Sequence, residues 1–459
     1  MSEVNTKNPL GYKPIPKLLG GFALPSIIAM LVSSLYNLVD QIFIGQYVGY
    51  LGNAATNVAF PLTTICMAIT LTIGIGTASR YSLYLGKGEE ERAAKTVGCG
   101  LCMMFGFGII YAFIIELFLT PMLVSFGSTE AVLPYALEYT RITAIGMPFI
   151  VVMNGMSNLA RADGSPTYSM VTMLIGAIIN TGLDALFMIV FHWGVAGAAW
   201  ATVIGQVISC LFAFMYIKRL KRITLRREHI RVSLAEMGTT AAMGMSNGLT
   251  QVAITFVQIV MNRSLVKYGA MSVYGSDIPL AASGIVMKVN SIVLAVIIGI
   301  TQGMQPIVGF NYGARKYDRV RQVYKLAITC ELVITLIAFA VFQIFPAQVL
   351  SIFGSSQDNK ELYFEFAVKF MRTFLLLLPL TGIQMISSNF FAAIGKPLKG
   401  AVLSLTRQVI FLIPLVLILS SFFGLTGIMA AAPVSDFTAF IVVMIFIVRE
   451  MNAMKHKTD

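Results

Sequence analysis

In a chain of 459 residues, 57% are hydrophobic and 12% charged, and mean hydropathy is +0.80; soluble domains carry about a quarter charged, so water is excluded as the solvent for most of this surface. The formal charge of +12 sits in short clusters between apolar runs, a pattern of membrane topology rather than of a nucleic-acid face. The five cysteines all fall in or beside apolar segments, Cys99 and Cys102 have no second pair or histidine to complete a site, and no phosphate-loop spacing occurs, which excludes a disulfide framework and a nucleotide motor.

In chain order, the N-terminus MSEVNTKNPLGYKPIPK lacks the apolar region and cleavage site of a signal peptide, so the first apolar run is expected to remain in the mature protein. Apolar runs then follow near 18–48, 56–85, 97–119, 132–160, 166–191, 195–217, 236–268, 279–309, 320–346, 362–394, 398–421 and 425–448. Each reaches the roughly 20 residues that a helix needs to cross about 30 Å of hydrocarbon. Basic breaks (the N-terminal tail, 87–95, 161–166, 218–231, 315–325, 395–399 and the C-terminal tail) alternate with sparsely basic ones at 50–53, 192–194 and 422–427. Lys and Arg accumulate on the cytoplasmic side, so twelve crossings with both termini cytoplasmic are expected. The fold class is therefore an all-α polytopic membrane protein: residues 1–217 as an N-lobe of six helices, 218–235 as a basic cytoplasmic linker, and 236–459 as a C-lobe of six.

The halves repeat. MPFIVVMNGMSNLARADGSP (147–166) aligns without gaps with LPLTGIQMISSNFFAAIGKP (378–397), and a weaker match pairs Gly74–Gly88 with Gly299–Gly313. An even number of crossings in each half makes the halves parallel repeats about an axis along the membrane normal, with a cavity where they meet, which is transporter architecture.

Two acids interrupt the apolar spans of the first half: Asp40 in NLVDQIFIGQYVG and Asp184 in AIINTGLDALFMIV. A carboxylate at mid-membrane costs about 2.5–3.5 kcal/mol on insertion scales, so each is a functional candidate. At 1.5 Å per residue both lie roughly 12–14 Å below the outer mouth, with Thr202 of span six at about the same depth. Asn180 shares the Asp184 face and Met173 and Ala177 continue it inward, while Ser33, Tyr36 and Asn37 share the Asp40 face. The positions aligned with Asp184 and Asn180 in the second half are Leu415 and Phe411, and span seven has no acid matching Asp40. The second half's own charges, Lys288, Arg407 and Asp436, are open to two readings, pairing in the core or lining a cavity.

With the duplication, the segments VDQIFIGQYVG, NLARADGSP, NTGLDALFMI and GVAGAAWATVIGQ resemble the multidrug and toxic-compound extrusion (MATE) transporters over nearly the full chain. The acids of the first half are similar to the DinF-like and MepA-like branch and unlike the NorM-like branch, which carries acids in its second half. The resemblance implies the MATE fold, two pseudo-symmetric six-helix bundles in a V, and export of small-molecule drugs, lipophilic or cationic, by antiport in a prokaryotic inner membrane. It implies an ion site at Asp40, Asn180, Asp184 and Thr202 for H+ or Na+, with Na+ as the only metal to consider and no other cofactor. Tyr36, Asn37, Met173 and Ala177 are the expected substrate wall, and Pro25 matches the family's span-one proline, a point where the helix can bend. The expected partners are drugs and membrane lipids, with no nucleic acid, and the expected state is a monomer. The alternative is a flippase for a lipid-linked precursor, which calls for a cavity rich in Arg and Lys; a channel lacks a filter-like loop, and an enzyme lacks a nucleophile-base pairing.

Overall fold

The computed structural model describes residues 8–126, 128–351 and 360–456. Among them all regular structure is helical. The first half contributes α1 (Ile15–Tyr47), α2 (Tyr50–Lys87), α3 (Glu90–Ser125), α4 (Leu133–Ala162), α5 (Pro166–Asp184) and α6 (Gly194–Met215). The second begins with α7 (Leu234–Ala270), α8 (Asp277–Gly313) and α9 (Tyr317–Ile344). Here α10 is a pair, Lys360–Phe374 and Leu378–Ala393, bent by 47° between its segments, where the sequence suggests one straight span.

The run Pro397–Lys455 is 59 residues long, roughly 90 Å as a helix and three times a bilayer core. It makes two crossings. At Gly424 the backbone takes φ 56°, ψ −132°, a region that suits a residue without Cβ, and the chain doubles back: Ser435 Oγ donates to the Arg407 carbonyl at 2.9 Å. The limbs 397–423 and 425–455 are α11 and α12. Ten helical runs satisfy the length and apolarity of a span by themselves; the bent α10 and the division of the last run bring the crossings to twelve. The repeated segment also turns alike in both halves, through left-handed Gly164 and Gly395 just before the proline that opens the next helix.

Most helices extend past the predicted apolar limits, α2 reaching 38 residues, because polar ends continue the hydrogen-bond ladder beyond the hydrocarbon. Their outward faces carry the side chains expected toward lipid, such as Ile109, Phe113 and Leu117 of α3, all more than half exposed.

The halves meet most closely through α2 against α7 and α1 against α8. At these contacts backbones touch. A Cβ at Gly76 would fall 2.1 Å from the Thr240 carbonyl oxygen and one at Gly244 1.9 Å from that of Thr72; at Gly299 it would meet Ile27 Cα at 2.6 Å, and at Gly303 the Ala23 nitrogen at 2.6 Å. Small residues permit this approach where lipid offers no hydrophobic drive between helices. Nearby, buried Arg80 of α2 binds across to α7, with Nη2 2.6 Å from the Glu236 carboxylate and Nη1 donating to Thr240 Oγ1 at 2.8 Å. This is the end that bears the basic loops. There, Asp163 accepts from Tyr81 (2.5 Å), Tyr216 (2.8 Å) and the Lys221 amide (2.8 Å), which ties the start of the basic 218–231 stretch to the first half.

Candidate functional site

Asp40 lies seven residues before the end of α1, on the side where that helix packs against α5. Asp184 is the last α-helical residue of α5; the next six, Ala185–Val190, form a π-helical turn. Such turns widen the backbone by one residue and occur often at functional sites. Both acids are buried, Asp184 completely and Asp40 to 8% exposure. Their carboxyl groups are close enough to interact directly, and the phenols of Tyr36 on α1 and Tyr139 on α4 lie within the field of both.

Asn180, one turn before Asp184 and 3% exposed, donates from Nδ2 to Thr202 Oγ1 on α6 at 3.2 Å. Thus the four positions expected for an ion site, drawn from three helices, fall into one cluster. Its oxygens are left without donors: Asp40 Oδ1, both oxygens of Asp184 and Asn180 Oδ1 are buried with no hydrogen-bond partner among the described residues. Buried polar atoms are rarely left so, and two adjacent carboxylates repel. The cluster therefore has acceptors in excess, which fits a proton or a small hard cation; carboxylate, amide and hydroxyl oxygens are the ligands that Na+ prefers.

The expected wall residues divide. Tyr36 is half-buried beside the acids and Ala177 is 7% exposed two turns before Asp184, with Met173 half-buried a turn further. Asn37 is exposed, its Nδ2 donating to the Ser33 carbonyl at 2.7 Å. Pro25 is half-buried within a continuous α1.

Two groups escaped the sequence reading. Tyr139 gave no signal, because a tyrosine near the end of an amphipathic stretch, ALEYTRI, looks interfacial; only the packing of α4 brings it to the acids. Glu331 had a signal, a lone acid in CELVITL, yet it was passed over. It lies on α9 with no exposed surface, and neither carboxylate oxygen has a partner among the described residues. As for the three charges of the second half, Arg407 Nε binds Asp436 Oδ1 at 2.5 Å, whereas Lys288 is exposed and takes no part in that pair.

The MatE family model matches this chain over residues 25–186 and 247–418, one match in each half. Among curated proteins, Multidrug export protein MepA of Staphylococcus haemolyticus is 26% identical over 417 residues, covering 90% of this chain and 88% of that protein. The protein of the same name from Staphylococcus aureus is 25% identical, covering 90% and 89%. Among solved structures, an outward-facing multidrug resistance MATE family transporter of the MOP superfamily superposes with a TM-score of 0.89 at 23% identity, over 99% of this chain and 98% of that one. A MOP superfamily transporter from Pyrococcus furiosus, described as having a binding pocket of reverse polarity, gives 0.90 at 22% identity over 99% of each chain.

Proposed function

The chain belongs to the MatE family, and from that premise we propose that it is a secondary multidrug exporter in which Asp40 and Asp184 exchange a small-molecule drug for a coupling ion. Relatives named as multidrug export proteins at about a quarter identity over nine-tenths of the chain support the first part. The observation that carries the second is the buried pair of carboxyls with unsatisfied oxygens beside Asn180 and Thr202.

The reasoning is one of compensation. Two acids buried together repel unless a positive charge joins them, and either a proton, Na+ or the cationic part of a drug supplies it. Each occupant reduces the attraction for the others, so loading the ion from one side releases the drug there, and unloading it on the other restores the site. Competition of this kind couples the two fluxes if the site opens to only one side at a time, which asks the two halves to rock about it. A ligand shifts such an equilibrium only by its difference in affinity for the two states, and the acid pair is where that difference arises. The basic loops then face the cytoplasm, with the glycine contacts closing that side.

Ethidium efflux from proteoliposomes under an imposed pH gradient, and separately under an imposed Na+ gradient, tests the reading. Efflux driven by one of the gradients in the wild type, and lost in Asp40→Asn and Asp184→Asn with both variants still folded, is the expected result. Gradient-driven efflux retained by either variant sinks the exchange scheme.

A further inference from the structure

Of the second half's ionisable side chains, Lys288 differs from Arg407 and Asp436 in having no ion pair or hydrogen bond to its ammonium among the described residues. It is exposed, on α8, and α8 is the helix that packs on α1 of the other half. The face on which it sits follows from helical spacing. Gly284, Lys288, Ser291 and Ile292 form the exposed stripe of the outer part of α8, and a few turns further on the same face carries Gly299 and Gly303, which touch Ile27 and Ala23 of α1. One face of α8 is therefore closed against α1 at the basic end and open beyond it. The lipid-facing stripe of α3 is large and apolar throughout; this one sets Gly284, Ser291 and a cation beside a single large apolar side chain, Ile292. Under the export reading this stripe is one wall of the cleft between the halves.

The register gives its level. The two helices run antiparallel, so residue numbers on α1 rise as those on α8 fall. From the Gly299–Ile27 contact, eleven residues along α8 bring Lys288 opposite the stretch of α1 between Asn37 and Asp40. Asn37 is exposed there, on the other wall. At one level, then, the cleft has the acid cluster behind one wall and a free ammonium on the other.

We propose that Lys288 is the anion-recognising group of the substrate cleft, so that the preferred substrates are amphiphiles bearing an acidic group beside the cationic one, zwitterions rather than plain cations. This rests on the export reading and narrows its substrate class. A carboxylate or sulfonate held by Lys288 leaves the cationic end of the same molecule free to turn toward Asp40 and Asp184, and a lone cation entering the cleft meets the repulsion of the ammonium without a compensating contact.

Two dyes that differ in one charge test it: rhodamine B, a zwitterion by virtue of its carboxylate, and its ethyl ester, a plain cation. Binding of each to the purified full chain is measured by fluorescence polarisation, and the ratio of the two affinities is compared among variants, which cancels differences in the amount of folded protein. Lys288→Gln should shift the ratio toward the ester by about three- to tenfold, the worth of one partly exposed charged contact, Lys288→Glu should shift it further, and Lys288→Arg should return it to the wild-type value. A ratio unchanged in both the Gln and Glu variants overturns the proposal, as does a wild-type chain that binds neither dye. Efflux of the dyes under an ion gradient is read separately: wild-type efflux indifferent to any gradient defeats the exchange scheme while leaving the binding ratio to judge Lys288.

Discussion

In the first half Asp184 is fully buried and neither of its oxygens has a hydrogen-bond partner among the described residues; in the second half Asp436, 3% exposed, has Arg407 at 2.5 Å. Both acids carry the same cost of leaving water, and these two sites meet it differently. Asp436 is compensated from within the protein by a fixed guanidinium, itself held by Thr381 and by the backbone where Ser435 meets the Arg407 carbonyl. Asp184 has no such partner among the described residues, and under the proposed exchange its compensation arrives from solution. A pair closed on itself gives stiffness, whereas an acid without a partner is what the proposed exchange requires, so the same residue type is a brace at Asp436 and the proposed receptor at Asp184.

The largest effect that separates these roles is on transport. Asp184→Asn and Asp40→Asn should each reduce gradient-driven ethidium efflux to the background of empty vesicles, with thermal unfolding of the purified protein unchanged or raised, since each removes an uncompensated acid. Next comes a stability effect in the other half. Arg407→Ala strands Asp436 and should destabilise by about 3–5 kcal/mol, whereas the double change Arg407→Met with Asp436→Leu should be neutral or stabilising; a double variant as unstable as the single one breaks the comparison. A smaller effect is expected at Thr202→Ala, where Asn180 loses its 3.2 Å partner, at a cost of about 1 kcal/mol or roughly a fivefold weaker dependence on the coupling ion, read as a shift in the ion concentration for half-maximal efflux. Smallest is Pro25→Ala, which restores a backbone hydrogen bond in α1 and should slow efflux without altering ion dependence; an unaltered rate removes bending of α1 from the cycle.

Much of this was legible in the sequence because hydropathy along a chain reports membrane crossings directly. The repeat at 147–166 and 378–397 announced the duplication that the two family matches show. Asp40 and Asp184 stood out since a charge in an apolar run needs no contact map to be noticed, and helical spacing placed Asn180 with Asp184. What stayed hidden depends on contacts between distant segments. That Tyr139 comes within the field of Asp40 and Asp184 is decided by how α4 packs in the first half. Likewise the Arg407–Asp436 pair follows from the fold-back at Gly424, which no local pattern encodes. The bend within α10 was missed for the same reason: FLLLLPL is uniformly apolar, so hydropathy passes through it unbroken.

The contacts at Gly76, Gly244, Gly299 and Gly303 have a kinetic consequence. Where main chains abut there are no long side chains to swing aside one after another, so the barrier between the halves cannot thin by degrees. It separates along its whole length or stays shut, as two flat plates pressed together do. Under the proposed exchange, a passage that opens in one step leaves no half-open state through which the driving gradient could leak between one turnover and the next.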